Sequence, residues 1–271
     1  RLRLYCSEDA HSSVDKAALT LGLGLSGIRH IPTDDQQRMD PDALAAAIDE
    51  DLRAGVRPMA VVATVGTTST TAVDPVPAVA DICEQHGIWL HVDAAYGGSA
   101  AVLPEMRWVL DGCDRADSLV VNPHKWLFVP VDCSVLYTRR PELLKRAFSL
   151  VPEYLTTTLP SDTRNLMDYG VALGRRFRAL KLWFVLRHFG AAGLQQILRH
   201  HLALARSFAG WVDADPSFER LAPVHFSVVV FRFRPPGETR EDVIEQMNMQ
   251  VLQRVNDSGA VFLSHTRVDG K

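Results

Sequence analysis

Short apolar runs alternate with helical patterns along the N-terminal half of this chain of 271 residues. Residues 59–65 read MAVVATV and residues 88–92 read IWLHV, and runs of this kind are typical of strands buried on both faces of a parallel sheet. Between them, Asp74-Pro75 opens and Gly87 closes a helical pattern. The alternation predicts an α/β layer fold with a mainly parallel central sheet and helices on its faces.

The other elements of this half are predicted from capping residues and short apolar runs. Ser12 and Asp15 have the spacing of a capping box, which predicts that a helix begins there. Asp40 followed by Pro41 suits the N-cap and first position of a further helix. Additional strands are predicted at residues 2–6, 28–31, 118–121 and 133–138.

The C-terminal part of the chain follows a different pattern. Residues 151–170 are polar and lack periodicity, which predicts a long loop. Later predicted elements are helices at 173–190 and 191–212, an antiparallel strand at 224–233, a helix from Thr239 with Asp242 in its capping box, and a last strand after Gly259. We therefore expect a large domain over residues 1–190 and a smaller α+β domain over residues 191–271.

Both ends of the chain read like the interior of a longer protein. The opening RLRLYC already has a strand pattern and no initiator methionine. Asp269-Gly270 is a strong hairpin turn signal, yet only Lys271 follows it. We expect the chain to be truncated at both ends.

Composition and charge argue against several classes of protein. With a net charge of −3, no overall basic field marks the chain as a nucleic-acid binder, and no apolar run reaches the length of a membrane span. The cysteines lack a CxxC spacing, which argues against a zinc or disulfide framework and favours reduced thiols in a cytoplasmic protein. These cysteines are Cys6, Cys83, Cys113 and Cys133.

Several polar residues follow directly after predicted strands. Ligands of parallel sheets bind outside the carboxyl ends of the strands, so residues in this position are candidates for one shared site. Asp93 and Lys125 are one strand–helix–strand unit apart, which predicts that they lie on neighbouring strand ends. The candidates are His11, Thr67, Thr68, Asp93 and Lys125.

The side-chain chemistry of Asp93 and Lys125 together indicates which class of reaction the site could carry out. Lys125 lies in the segment NPHKW after an apolar strand, and lysines in apolar surroundings often act as amine nucleophiles. Alone, each residue has an ordinary alternative, namely a lysine that reaches solvent and an aspartate that caps a turn. Together, an amine that forms a Schiff base and a carboxylate that binds a pyridinium nitrogen are the pair that pyridoxal phosphate (PLP) chemistry needs.

Five segments resemble the group II PLP-dependent amino-acid decarboxylases, most closely the aromatic-L-amino-acid decarboxylase branch. NPHKW combined with HVDAAYGG at this spacing is the most specific feature, and the similarity extends over nearly the whole chain. The resemblance implies the PLP-dependent transferase fold (fold type I) and a homodimer with its site at the subunit interface. The segments are HSSVDKA from His11, VVATVGTTSTTAVDP at 61–75, IWLHVDAAYGG at 88–98, NPHKW at 122–126 and LGRRFRALKLWFVLRHFG at 173–190.

The resemblance assigns roles at the cofactor ring to four residues. It implies that Lys125 forms the Schiff base with PLP and that Asp93 binds the pyridine nitrogen. Ala95 is expected to pack beside the ring, and His11 to stack on its open face.

The resemblance also assigns roles around the ring. Thr68 is expected to hydrogen-bond the cofactor, and Asn122 and His124 to lie near its phosphate and the lysine. Without the resemblance, these three would be interpreted as turn or capping residues. Tyr154 matches a loop tyrosine that supplies a proton to the substrate Cα after carbon dioxide leaves.

The implied function is decarboxylation of an L-amino acid, expected to be aromatic, to the corresponding amine. One alternative is an aromatic aldehyde synthase on the same scaffold, and another is a catalytically inactive, truncated fragment that binds PLP or mediates dimerisation. The presence of both His11 and Tyr154 favours decarboxylation, because loss of either tends to accompany aldehyde synthesis in the family. The substrate stays open, and no segment of this chain matches the family's phosphate-binding loop.

Overall fold

A six-stranded sheet forms the centre of the protein, which we describe from a computed structural model covering residues 1–150 and 164–270. Its strand order is β2-β1-β3-β4-β5-β6. The strands are β1 (Leu2–Ser7), β2 (Ile28–Ile31), β3 (Arg57–Thr64), β4 (Trp89–Asp93), β5 (Ser118–Val121) and β6 (Val135–Thr138).

The strands β1 to β5 all run parallel, and only β6 pairs antiparallel with its neighbour within this sheet. In the register of the central strands, Asp93 lies opposite Thr64 on one side and Val120 on the other. The predicted mainly parallel sheet is therefore confirmed. Its strands β1 to β5 end together at one border, which we call the carboxyl edge.

Helices surround the sheet and continue beyond it. Two short strands, β7 (Phe218–Arg220) and β8 (Phe231–Phe233), form a separate antiparallel pair in the C-terminal part. The helices are α1 (Ser13–Thr20), α2 (Pro41–Arg53), α3 (Val76–His86), α4 (Pro123–Trp126), α5 (Pro141–Phe148), α6 (Arg178–Ala214) and α7 (Glu241–Asp257).

Both faces of the sheet are covered, because neighbouring strand residues point to opposite sides. On one face, Tyr5 belongs to the main core with apolar residues of α2 and α3. On the other face, Leu4 and Cys6 pack with Val14 and Ala18 of α1 in a smaller cluster. Helices on both faces are thus confirmed.

Two predicted helix starts are wrong in their capping. Ser12 has helical backbone angles and makes no side-chain cap, and the Val14 N–H that it could have capped donates to the His11 C=O at 3.0 Å. The last helix begins at Glu241 without a side-chain cap, so the capping box at Thr239 and Asp242 does not form. By contrast, the predicted N-cap Asp40 is confirmed, since its carboxylate accepts from two backbone N–H groups of the first turn.

The C-terminal elements differ most from prediction. The helices expected at 173–190 and 191–212 form one element, α6, which begins only at Arg178 and bends at Gly190 (φ 63°, ψ 176°). The strand expected at 224–233 is reduced to β8, because Phe226 turns into the main core instead of pairing. The predicted domain boundary at residue 190 coincides with this bend and stays a prediction.

The strand expected after Gly259 is absent from the part of this segment that the structure describes. Leu263 instead bonds the side chain of Asn256 on α7, through both its N–H and its C=O. A side-chain amide thus satisfies backbone groups that a neighbouring strand would otherwise bond. None of the described helices is long and apolar enough to span a bilayer.

Asp74 was predicted to open α3, and that prediction is wrong. The helix begins at Val76, and the Asp74 carboxylate accepts hydrogen bonds from the N–H groups of Met39 (2.8 Å) and Thr64 (2.7 Å). Asp74 is 2% exposed, and desolvation by burial raises its pKa to about 6. This carboxylate therefore links the approach to α2 with the end of β3.

The raised pKa of Asp74 predicts a pH-dependent stability. The folded state binds a proton that the unfolded state releases near pH 4, so the free energy of unfolding should fall as pH rises from 4 to 7. A rise of the Asp74 pKa from its ordinary value to about 6 corresponds to a decrease of about 3 kcal/mol in the free energy of unfolding over this pH range. In Asp74→Asn this component of the pH profile should vanish, whereas the exposed control Asp49→Asn should retain it, as measured by urea titrations. An unchanged slope in Asp74→Asn would contradict the assignment.

Candidate active site

The predicted site residues follow four strands that end at the carboxyl edge. His11 follows β1, Thr68 follows β3, Asp93 is the last residue of β4, and Lys125 lies in α4 directly after β5. These strands are parallel and adjacent, so the turns after them share one border of the sheet. The catalytic and cofactor-binding roles of the individual residues stay predictions.

Asp93 is half-buried and has one uncommitted oxygen. Its Oδ1 accepts a hydrogen bond of 3.0 Å from the Ala95 N–H, which closes the turn after β4. Among the described residues, none donates a hydrogen bond to Oδ2. That oxygen is available to accept a proton-bearing nitrogen of a ligand.

His91 lies on the same face of β4 as Asp93 and was not predicted as part of the site. Its Nδ1 is 2.8 Å from Ser118 Oγ, and the same hydroxyl accepts from the Trp89 indole N–H at 2.9 Å. Desolvation by burial lowers the pKa of His91, although the Asp93 charge opposes this shift. A neutral His91 leaves the Asp93 charge without a neighbouring cation on its own strand.

The turn that carries Lys125 is bonded directly to the turn after Asp93. The Asn122 N–H donates to the Ala95 C=O (3.0 Å), and the Lys125 N–H donates back to the Asn122 C=O (2.9 Å). Asn122 Oδ1 accepts from the Ser134 hydroxyl at 2.6 Å. The bond between Asn122 and Ala95 therefore ties together the two turns that carry the predicted catalytic residues Asp93 and Lys125.

Lys125 is exposed, and the apolar neighbourhood inferred for it is wrong in this structure. Within the single turn of α4, Pro123 and Trp126 face the core and Lys125 points outward. Sequence position alone could not show which side of so short a helix faces solvent. The amine is therefore accessible to a ligand at the carboxyl edge.

The remaining predicted residues differ in their exposure and in whether their side chains already have hydrogen-bond partners. His124 lies against Cys133, with Nδ1 3.0 Å from its N and 2.7 Å from its O, so this nitrogen holds the local backbone. His11 and Thr68 are exposed, and Thr67 is buried with its hydroxyl 2.9 Å from that of Thr70. Ala95 is buried beside Asp93, while Tyr154 lies outside the described residues.

An aromatic cluster, formed by Tyr96, Trp126 and Phe226, lies beneath the two turns. Tyr96 and Trp126 are stacked with ring centroids 5.0 Å apart and an angle of 17°. Phe226 meets both rings edge-on at 5.9 and 5.8 Å, and the Tyr96 hydroxyl is 2.5 Å from Ser227 Oγ. Because Trp126 is adjacent to Lys125, this packing fixes the lysine turn relative to the end of β4.

The close approach of backbone to this cluster requires a glycine at residue 97. A Cβ on Gly97 would lie 2.6 Å from the Val65 O and 3.0 Å from the Phe226 ring. We expect Gly97→Ala to lower the free energy of unfolding by about 2 kcal/mol, as overpacking does. The control Gly210→Ala has no atom within 4 Å of the new methyl and lies within α6, so it should stabilise. Equal denaturation midpoints for the two variants would contradict this packing.

The chain belongs to the family of proteins with the pyridoxal-dependent decarboxylase conserved domain, whose model matches residues 1–234. It is 45% identical to tryptophan decarboxylase TDC1 of Camptotheca acuminata, over 98% of this chain and 54% of that protein. It is 39% identical to a phenylacetaldehyde synthase of a Rosa hybrid cultivar, over 100% of this chain and 55% of that protein.

Solved structures support the same assignment. The crystal structure of Oryza sativa TDC with PLP and tryptamine matches with a TM-score of 0.95 and 40% identity, covering 100% of this chain and 57% of that one. The predicted fold and family are confirmed. The chain spans about half the length of the curated relatives it matches.

The residues at the carboxyl edge fit PLP, the cofactor of the family. PLP requires a lysine amine for its aldehyde and an anionic group at its ring nitrogen. Lys125 offers an exposed amine and Asp93 an uncommitted carboxylate oxygen, on turns joined by the hydrogen bond between Asn122 and Ala95. Of the predicted ligands, these two are therefore the residues whose chemistry matches the cofactor most directly.

Proposed function

We propose that the full-length protein catalyses the PLP-dependent decarboxylation of an aromatic L-amino acid to the corresponding amine and carbon dioxide. The observation that carries the proposal is the hydrogen bond between Asn122 and Ala95, which joins the turn of the exposed Lys125 to the turn of Asp93 with its uncommitted oxygen. Family membership supports the reaction class. The names of relatives that act on tryptophan and tyrosine support the choice of aromatic substrates.

When bound, PLP supplies an aldehyde that condenses with amines and a ring that accepts the electrons of a breaking bond. Lys125 Nζ would hold the cofactor through its aldehyde and would be the amine at this edge that can accept or donate a proton. Asp93 Oδ2 would keep a proton on the ring nitrogen by accepting its hydrogen bond, and a neutral His91 leaves the Asp93 charge uncompensated on its own strand.

Two further residues complete the proposed mechanism. His11 lies on the turn after β1, at the same edge of the sheet, and its ring would pack against the bound cofactor. Tyr154 is proposed to deliver the proton to the substrate Cα through its hydroxyl. Thr68, Asn122 and His124 are proposed to bind the cofactor periphery.

Oxidative conversion to an aldehyde is the second candidate, favoured by the phenylacetaldehyde synthase among the relatives. A panel of aromatic L-amino acids should be incubated with the full-length protein and PLP, and amine, aldehyde and hydrogen peroxide measured. Decarboxylation predicts amine without peroxide, and the alternative predicts aldehyde with peroxide. Absence of all products, with PLP bound, would identify an inactive binding protein.

We also propose that the protein is a cytoplasmic homodimer with its site at the subunit interface. Large apolar side chains are exposed on β6 and α6, and they support contact with another protein surface, because large apolar patches are seldom left in water. Light scattering of the full-length protein should give twice the monomer mass. These side chains include Tyr137 (59% exposed), Trp183 (53%) and Phe184 (58%).

A further inference from the structure

The helix α6 holds the seven residues that follow Lys125, which we call the post-lysine segment (residues 126–132). Near the start of α6, Arg178 Nε donates to Asp132 Oδ2 at 2.9 Å, and Lys181 Nζ donates to the Pro130 O at 2.8 Å. Moving forward along α6 from Arg178 to Lys181 therefore means moving backward along the post-lysine segment, from Asp132 to Pro130. The residues closest to Lys125, Trp126 and Phe128, are contacted by His201, which lies much further along the helix.

His201 makes two contacts with the post-lysine segment next to Lys125. The Trp126 indole N–H donates to His201 Nδ1 at 3.2 Å. The ring of Phe128 meets the His201 ring edge-on, with centroids 5.8 Å apart. Phe128 has a φ of 60°, a conformation that costs energy for a bulky residue and persists only when its surroundings hold it.

The turn α4 depends on such contacts for its orientation. It has only four residues, and a helix of one turn is not stable by itself. The aromatic cluster holds the faces and edges of the Trp126 ring but offers no partner for its indole nitrogen. His201 is the described residue that accepts from this nitrogen, so it limits rotation of the ring and of the turn that carries Lys125.

We propose that His201 is a positioning residue for Lys125, acting through Trp126. The inference rests on the proposed function, in which Lys125 binds PLP. The contact requires Nδ1 to accept, so the ring proton lies on Nε2. A glutamine carbonyl can accept the same hydrogen bond, whereas leucine cannot.

The test compares His201→Leu, His201→Gln and the control His200→Leu, which alters the exposed neighbouring residue. In the full-length protein we expect His201→Leu to raise the Kd for PLP by about tenfold, which is the effect of one lost hydrogen bond. We also expect it to reduce the visible circular dichroism of bound PLP. His201→Gln should recover most of both signals. His200→Leu should match the wild type.

A double-mutant cycle separates positioning from general stability. Trp126→Phe removes the donor, so adding His201→Leu to it should weaken PLP binding no further. The inference is overturned if His201→Leu and His200→Leu have the same PLP Kd and dichroism, or if His201→Leu lowers only the Tm of the apo-protein. It is also overturned if the losses of PLP affinity caused by Trp126→Phe and His201→Leu add in the double variant. Should His201→Leu not fold, an unchanged Kd in Trp126→Phe would overturn it. A wild-type protein that binds no PLP would instead contradict the proposed function.

Discussion

Replacing Lys125 by alanine is expected to abolish covalent attachment of PLP and to lower turnover by a factor on the order of 10⁴ to 10⁶. Removal of a group that forms the covalent bond to a reacting molecule has effects of this size. The Lys125 side chain is exposed on the single turn of α4, so the variant should remain folded. Absorbance of bound PLP and amine release by the full-length protein measure the two losses.

The matched control for this variant is Lys16→Ala, because Lys16 is also exposed and lies on α1. It should retain the cofactor spectrum and turnover of the wild type. Wild-type turnover in Lys125→Ala would show that another amine binds the cofactor. An equal loss in both lysine variants would show that the effect comes from surface charge.

Asp93→Asn is expected to lower turnover by about 10²- to 10³-fold, the size found when a group that stabilises developing charge is removed. The asparagine carbonyl can still accept the hydrogen bond of the Ala95 N–H, so the turn after β4 should keep its shape. What changes is the negative charge beside the neutral His91. Turnover and the pH dependence of the PLP absorbance should therefore both change, while the unfolding midpoint should not.

A control with the same chemical change is Asp242→Asn, at an exposed position of α7 remote in sequence from the site. It should leave turnover and the PLP spectrum unaltered. If Asp93→Asn gave wild-type turnover, the carboxylate would have no role at the ring nitrogen. If it lost activity only through unfolding, its role would be structural.

Local rules account for the elements that the sequence predicted well. Apolar runs and glycine or proline signals located the strands from β1 to β6, and Asp40 caps its helix because the cap involves only neighbouring residues. The common edge of His11, Asp93 and Lys125 could be predicted because parallel strands end together. These features need no knowledge of distant contacts.

Contacts between distant segments explain what could not be predicted. Asp74 leaves its predicted capping role because two backbone N–H groups compete for its carboxylate, one from a residue far along the chain. Phe226 leaves a predicted strand for an aromatic cluster assembled from three separate segments. His201 carries no local signal, since its partner Trp126 lies 75 residues away in the sequence.

The most direct test of the central claim is to reduce the full-length protein with borohydride in the presence of PLP and to map the modified lysine by peptide mass spectrometry. The candidates within this chain are Lys16, Lys125, Lys145, Lys181 and Lys271. The account predicts a pyridoxyl group on Lys125, absent from the Lys125→Ala variant. A pyridoxyl group on a different lysine, with Lys125 unmodified, would contradict it.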